Sequence, residues 1–64
     1  MPIIRVEMIE GRTVEQKRAL VEGLTHEMAK ATGCSMGSIY VVIEEVKKEN
    51  WAVGNRLLSD KVMD

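Results

Sequence analysis

Residues 2–16 read PIIRVEMIEGRTVEQ, and this stretch holds a strand pattern followed by the start of a helix. The side chains of residues 2–9 alternate between two faces, with Ile4, Val6 and Met8 on one face and Ile3, Arg5, Glu7 and Ile9 on the other. Glu10-Gly11-Arg12 ends this alternation. Thr13 and Gln16 then form a capping box, because each side chain can bond a backbone amide that the first helical turn leaves free. The stretch therefore predicts a strand that turns directly into a helix.

The helix is predicted to continue to Gly33, since glycine commonly follows the last helical turn in a left-handed conformation. A rotation of about 100° per residue places Leu20, Val21, Leu24, Met28 and Ala31 on an apolar stripe, with Arg18, Glu22, His26, Ala29 and Lys30 opposite. Residues 38–45, SIYVVIEE, predict a second strand that is apolar on both faces. A strand, a helix and a strand in this order predict a right-handed crossover and a parallel strand pair.

The C-terminal part of the chain carries the signals of a hairpin or short arm. A polar bend at residues 47–50 precedes Trp51, and Gly54-Asn55 is a turn signal. We interpret residues 1–64 as a single α/β domain with a β-α-β subunit. One helix covers only one face of a two-stranded sheet, whereas both strands carry apolar residues on both faces. The sequence thus predicts that homo-oligomerisation completes the fold.

Composition excludes several classes of function. Nine basic and ten acidic side chains give a formal charge of −1, and the mixed signs provide no basic field for nucleic acid. No long apolar run or charged leader indicates a membrane span or export, so we expect a cytoplasmic protein. The single cysteine, Cys34, cannot form an internal disulfide and has no metal-ligand spacing around it, so no metal site is predicted.

Pro2 can act as a base if Met1 is removed. Met1 is commonly removed when the next residue is small, and the ring nitrogen of Pro2 then becomes a secondary amine instead of an amide. An α-amino group has a pKa of about 8, and burial among apolar groups or a nearby cation lowers that pKa because both disfavour the protonated form. The candidates are Ile3, Ile9 and Trp51 for the apolar surroundings and Arg12 for the cation. A neutral amine of this kind is a general base.

The segments PIIRVEMIEGRTVEQKRALVE, residues 2–22, and VVIEEVKKENWAVG, residues 41–54, resemble the 4-oxalocrotonate tautomerase family of the tautomerase superfamily. The resemblance covers nearly the whole chain in length and order. It implies a β-α-β subunit that in typical members assembles as a hexamer, a trimer of dimers. It also implies a tautomerase that works without cofactor or metal on a small-molecule carboxylate substrate.

The resemblance further implies roles for individual residues. Pro2 matches the amino-terminal proline that moves a proton between the oxygen and a carbon of an enol, which converts a 2-hydroxydienoate to the conjugated ketone. Arg12 matches the arginine that binds a substrate carboxylate, and a planar guanidinium suits a carboxylate better than an ammonium does. Trp51 stands at the position of the aromatic residue, usually Phe, that shields the site.

Tyr40 departs from the family pattern. Well-studied members carry a second arginine at this position, supplied by a neighbouring subunit. A phenol donates one hydrogen bond but carries no positive charge, so we expect a preference for substrates with one carboxylate or for another carbonyl compound. Ile9 and Ser38 complete the expected substrate contacts, Ile9 as an apolar neighbour and Ser38 through its backbone.

Two alternatives remain open from the sequence. Some superfamily members are dehalogenases or decarboxylases, which use the same proline together with an additional carboxylate or an additional arginine. Glu44, Glu45 and Glu49 are available as carboxylates, but Ile9 offers no cation where one would help. The second alternative is a non-catalytic oligomeric binding module that keeps the fold without useful activity, and Tyr40 is the feature that allows it.

Overall fold

The computed structural model describes residues 1–60, and within them a helix connects two parallel strands. Strand β1 spans Ile3–Ile9, helix α1 spans Val14–Thr32 and strand β2 spans Tyr40–Val46. A 3₁₀ turn at Met36–Ser38 precedes β2, and another at Lys48–Asn50 follows it. Strands β3, Ala52–Val53, and β4, Arg56–Leu57, form a hairpin, which a 3₁₀ turn at Leu58–Asp60 follows. The predicted β-α-β architecture with its parallel pair and C-terminal hairpin is confirmed.

Both ends of α1 are fixed by the residues that the sequence singles out. The backbone amide of Gln16 donates to Thr13 Oγ1 at 3.1 Å, and the backbone amide of Thr13 donates to Gln16 Oε1 at 2.9 Å. At the other end Gly33 has φ 79°, and its amide donates to the carbonyl of Ala29 at 2.8 Å. The capping box and the glycine stop are therefore confirmed. No helix among residues 1–60 has the length and apolar content needed to cross a bilayer.

Helix α1 packs on one face of the sheet. The half-buried residues of this layer are Leu20, Val21, Leu24, Thr25, Met28 and Ala29 from the helix and Ile4, Val6, Met8, Val41 and Ile43 from the strands. Ala29 and Ala31 are the exceptions to the predicted stripe, because Ala29 is half-buried and Ala31 is exposed. A helix of 19 residues is roughly 28 Å long whereas strands of 7 residues span roughly 23 Å, so the sheet does not cover the whole length of α1.

The second strand begins two residues later than predicted. The amide and the hydroxyl of Ser38 both donate to the carbonyl of Ser35, at 3.1 Å and 2.8 Å, and the amide of Ile39 donates to Met36 at 3.2 Å. These bonds close a 3₁₀ turn, since a serine hydroxyl competes with a strand for local backbone groups. Ser38 therefore belongs to the turn before β2, and β2 extends instead to Val46.

The sheet face opposite α1 is open. Ile3 is 58% exposed, Tyr40 54% and Val42 38%, and none of residues 1–60 is fully buried. In the isolated chain α1 covers one face of the sheet only, and the sequence predicts that the other face is covered by another copy. The radius of gyration is 15.3 Å, well above the value of about 11 Å for a compact chain of this length. A lone subunit does not close a core.

The hairpin turn is formed by Gly54 and Asn55, with φ of 58° and 71°. Two successive residues at positive φ match the twist of a two-residue hairpin, which is why glycine and asparagine are favoured there. The predicted turn signal is thus confirmed at these two residues.

Candidate active site

The residues predicted to form the site lie in two groups at opposite ends of the β1–β2 sheet. Pro2, Ser38 and Tyr40 lie where the two strands begin, which we call the proline end. Ile9, Arg12 and Trp51 lie where the strands finish, which we call the arginine end. Because β1 lies between them with 7 residues, the two groups are separated by roughly 20 Å. A single chain does not bring Pro2 and Arg12 together.

At the proline end, Pro2 is held by its backbone. Its carbonyl accepts a hydrogen bond from the amide of Tyr40 at 2.9 Å, which makes it the first rung of the parallel ladder. The Pro2 side chain is half-buried, whereas Met1, bonded to its nitrogen, is 81% exposed. The position of the ring nitrogen is therefore fixed by the sheet, and the residue in front of it projects into solvent.

Tyr40 and Ser38 differ in what they offer a ligand. Tyr40 pairs with Ile3 in register, and both side chains are exposed on the open face. The hydroxyl and the amide of Ser38 are both bonded to Ser35, so its backbone carbonyl is the group left for a contact. Tyr40 is thus the polar side chain of this end that remains open to a ligand.

At the arginine end, Gly11 turns the chain so that Arg12 lies along β1. Gly11 has φ 124°, a conformation that side-chain-bearing residues rarely adopt. Arg12 Nη1 donates to the carbonyl of Ile9 at 2.9 Å. A guanidinium has five N–H groups, so this bond leaves most of them for a carboxylate. Arg12 is exposed and remains available as an anion-binding group.

Trp51 is half-buried against the open face at the same end. With Glu7, Val46, Asn50 and Ala52 it lines a shallow depression of about 310 Å³. Its backbone is anchored on both sides, since its amide donates to Lys48 at 3.3 Å and its carbonyl accepts from Leu58 at 2.8 Å. The backbone of Trp51 is therefore fixed, and the half-buried residue forms one wall of the depression. Arg12 does not line this depression.

Two of the three carboxylates considered for hydrolytic chemistry, Glu44 and Glu45, lie beside basic side chains. Glu44 lies 4.0 Å from Arg5 on the open face. Glu45 accepts from Lys17 at 2.5 Å on the helix side, where both side chains are less than a third exposed. No cluster of three His, Cys, Asp or Glu side chains within residues 1–60 has the arrangement of a metal site. The geometry thus gives no support to a second catalytic carboxylate from Glu44 or Glu45.

Gly11 is a site-positioning residue that the sequence pattern indicates only as a turn. We expect Gly11→Ala to lower the free energy of unfolding by about 1–3 kcal/mol, because an alanine is strained at this φ. Nothing lies within 4 Å of a Cβ placed there, so the cost comes from the backbone alone. Urea unfolding at fixed protein concentration measures it. Gly37→Ala is the matched control, since Gly37 has no positive φ and equally open space. Equal effects of the two substitutions would contradict the prediction.

The chain is similar to known proteins in both sequence and fold. Residues 2–61 match the family model described as tautomerase enzyme. The 2-hydroxymuconate tautomerase of Bacillus subtilis strain 168 is 50% identical over 60 residues, which are 94% of this chain and 97% of that protein.

Two solved structures are similar over almost their whole length. YwhB, a homologue of 4-oxalocrotonate tautomerase, is 48% identical with a TM-score of 0.91, covering 95% of this chain and 100% of its own. A heterohexameric 4-oxalocrotonate tautomerase from Chloroflexus aurantiacus J-10-fl is 32% identical with a TM-score of 0.88, covering 94% and 97%. The similarity therefore extends over both ends of the sheet.

Proposed function

The chain belongs to the tautomerase family of enzymes, and from this premise we propose that Pro2, freed by removal of Met1, is the general base of its enol-to-ketone isomerisation. The substrate class is a 2-hydroxydienoate or the enol of a related 2-oxo acid. The names of the relatives support the reaction type, and the position of Pro2 supports its role.

The proposed reaction is a balanced proton transfer. The lone pair of the Pro2 nitrogen takes the proton of the enol hydroxyl, the oxygen forms the ketone, and the double bonds shift along the conjugated chain. The protonated proline then returns the proton to a carbon of the substrate. No electrons are gained or lost, so the step needs no oxidant or reductant. General bases of this kind contribute roughly 10²- to 10⁴-fold to a rate.

The observation that carries the proposal is the fixed position of Pro2. Its carbonyl is bonded to Tyr40 at 2.9 Å, which holds the residue at the start of the strand ladder, and its ring prevents rotation about the N–Cα bond, so the direction of the nitrogen lone pair is set. Removal of the exposed Met1 generates a secondary amine at this fixed place. A base held in this way loses little entropy when it meets the substrate, which favours proton transfer.

We place the complete site between copies of the chain. Pro2 and Arg12 lie at opposite ends of one sheet, so a site that uses both takes them from different subunits. The open face and the extended shape of the isolated chain also favour assembly. A homo-oligomer, most simply a hexamer built from dimers, is supported by the heterohexameric relative from Chloroflexus aurantiacus.

The remaining residues have proposed roles in substrate binding. Arg12 binds a carboxylate through its free guanidinium N–H groups, and Trp51 with Ile9 shields the site from water. Tyr40 donates a hydrogen bond to the developing enolate oxygen, and the carbonyl of Ser38 is a backbone contact. Because Tyr40 adds no positive charge, a substrate with one carboxylate is the better fit.

The test compares the enol of phenylpyruvate, a monoacid, with the diacid 2-hydroxymuconate on protein whose Met1 removal is verified by mass. We expect kcat/KM to favour the monoacid by about tenfold or more, since a missing hydrogen bond to a charged group is worth about 1.5–3 kcal/mol. Tyr40→Arg should move the preference toward the diacid, and Tyr40→Phe should not. Efficient turnover of the diacid by the unmodified protein would contradict the role of Tyr40. No turnover of either enol would contradict the proposed reaction.

A further inference from the structure

An ion pair joins the first turns of α1 to the sheet. Lys17 Nζ donates to Glu45 Oε1 at 2.5 Å, and the two side chains are 28% and 29% exposed. Glu45 follows Val41 and Ile43 at alternate positions of β2, so its side chain points to the face that α1 covers. Within residues 1–60 no other ion pair connects α1 with β1 or β2. Because apolar packing is non-directional, this pair is a specific point of attachment between the helix and the sheet.

The same part of β2 holds both ends of the loop between β1 and α1. At the start of the loop, the amide of Glu10 donates to the carbonyl of Val46 at 3.1 Å. At its end, the carbonyl of Thr13 accepts from the amide of Lys17 at 3.0 Å, and the side chain of Lys17 is bonded in turn to Glu45. Both ends of the loop are thus attached to consecutive residues of one strand.

We propose that Lys17 and Glu45 are positioning residues for Arg12, the carboxylate-binding group of the proposed function, on which this inference rests. Arg12 lies within the loop, and within residues 1–60 its guanidinium has one hydrogen-bond partner, the carbonyl of Ile9 at 2.9 Å. The direction of this long, exposed side chain therefore depends on the backbone that carries it. The ion pair sets where the guanidinium meets a carboxylate, although neither Lys17 nor Glu45 touches the substrate.

The location of the pair favours positioning over stability alone. Charged groups between a helix and a sheet lose hydration, and the attraction within an ion pair largely offsets that cost without exceeding it. Two apolar residues would pack this layer as well, but they would not attach the start of α1 to one point of β2. Arg18 and Glu15 form a second pair on the same helix, but that pair is exposed and connects α1 only to itself. It is therefore a suitable control.

Lys17→Met tests the position of Arg12 through KM. Methionine keeps an unbranched stem without the charge. We expect KM for the phenylpyruvate enol to rise about tenfold with kcat within about twofold, since a displacement of about 1 Å can cost about 10²-fold. Lys17→Glu combined with Glu45→Lys restores the pair with its charges exchanged and should reverse most of that increase. Arg18→Met is the control and should change KM by less than about twofold. Equal effects of Lys17→Met and Arg18→Met, or no recovery with the exchanged pair, would overturn the proposal.

A double-mutant cycle separates positioning from a merely structural role. If Lys17 acts through Arg12, Lys17→Met should lower kcat/KM about tenfold when Arg12 is present and less than about twofold in an Arg12→Ala background. A contribution to the stability of the fold alone would give the same factor in both backgrounds, and that result would overturn the proposal. Sedimentation of each variant checks whether its assembly matches that of the unmodified protein.

Binding without turnover distinguishes this proposal from the proposed reaction. Hydrocinnamate, a saturated monocarboxylate with the carbon skeleton of phenylpyruvate, is titrated into protein that lacks Met1 and followed by NMR. We expect its Kd to rise about tenfold in Lys17→Met and to stay within about twofold in Arg18→Met. This result in a protein that converts neither enol would contradict the reaction and not the positioning. Equal affinity of the unmodified protein and Lys17→Met would overturn the positioning, even if the unmodified protein is an active tautomerase.

Discussion

Pro2→Ala should lower kcat/KM for enol-to-ketone conversion by about 10²-fold or more, the lower range for loss of a general base. Alanine leaves a primary amine once Met1 is removed, so some basicity remains. It lacks the ring that prevents rotation about the N–Cα bond, so its lone pair has no fixed direction. The loss should therefore appear mainly in kcat, because the base is less well oriented while the carboxylate contacts persist. Stopped-flow absorbance of the enol measures the rate.

A second comparison makes no substitution and differs only in whether Met1 is present. Protein that retains Met1 has an amide at the Pro2 nitrogen and should show no turnover above background. Protein of the same sequence with Met1 removed is its control, and mass spectrometry separates the two. Sedimentation of the Pro2→Ala protein checks whether its assembly is intact. Unchanged activity in an assembled Pro2→Ala protein would contradict the proline mechanism. Absence of turnover in the unsubstituted, Met1-free protein would favour the non-catalytic binding module.

Arg12→Ala should lower kcat/KM by about 10²-fold, with most of the effect in KM. A bidentate guanidinium makes two charge-assisted hydrogen bonds to a carboxylate, and each is worth about 1.5–3 kcal/mol. Arg12→Lys keeps the charge but not the fork, so its loss should be intermediate. Competitive inhibition by a saturated carboxylate analogue of the substrate provides an independent measure of binding.

Arg18→Ala is the matched control for Arg12. It removes the same side chain and the same charge from an exposed position on α1, where Arg18 pairs with Glu15. Exposed pairs one helical turn apart contribute little, so activity and assembly should change less than about twofold. If Arg18→Ala and Arg12→Ala lose activity equally, the effect reflects net charge, and a specific carboxylate contact at Arg12 is wrong.

Much of the fold is predictable because its signals are local. The start of α1 depends on Thr13 and Gln16, its stop on Gly33, and the hairpin on Gly54-Asn55, each within a few residues of the others. The alternation of β1 likewise separates its two faces without reference to the rest of the chain. The start of β2 is not predicted correctly from local signals. Ser38 forms hydrogen bonds within a turn, and the apolar run that follows it does not indicate that turn.

The site is less predictable than the fold. The resemblance assigns Pro2 and Arg12 to one site, yet the seven residues of β1 hold them roughly 20 Å apart within a chain, so their meeting depends on contacts between copies and not on local signals. The exposed Ala31 has a similar origin, since the relative lengths of α1 and the sheet decide which helical positions are covered. Trp51 has its place at the arginine end because a 3₁₀ turn at Lys48–Asn50 brings the chain back toward Glu7.

The absence of any fully buried residue in residues 1–60 has a consequence for the lifetime of a newly synthesised chain. Until it meets other copies, its backbone is open to proteases, and the rate of meeting rises with the square of chain concentration. Binding that stabilises only the folded form acts by mass action. When synthesis is slow, a smaller fraction of the chains therefore assembles before it is degraded. The steady-state amount of the protein should then rise more steeply than in proportion to its rate of synthesis.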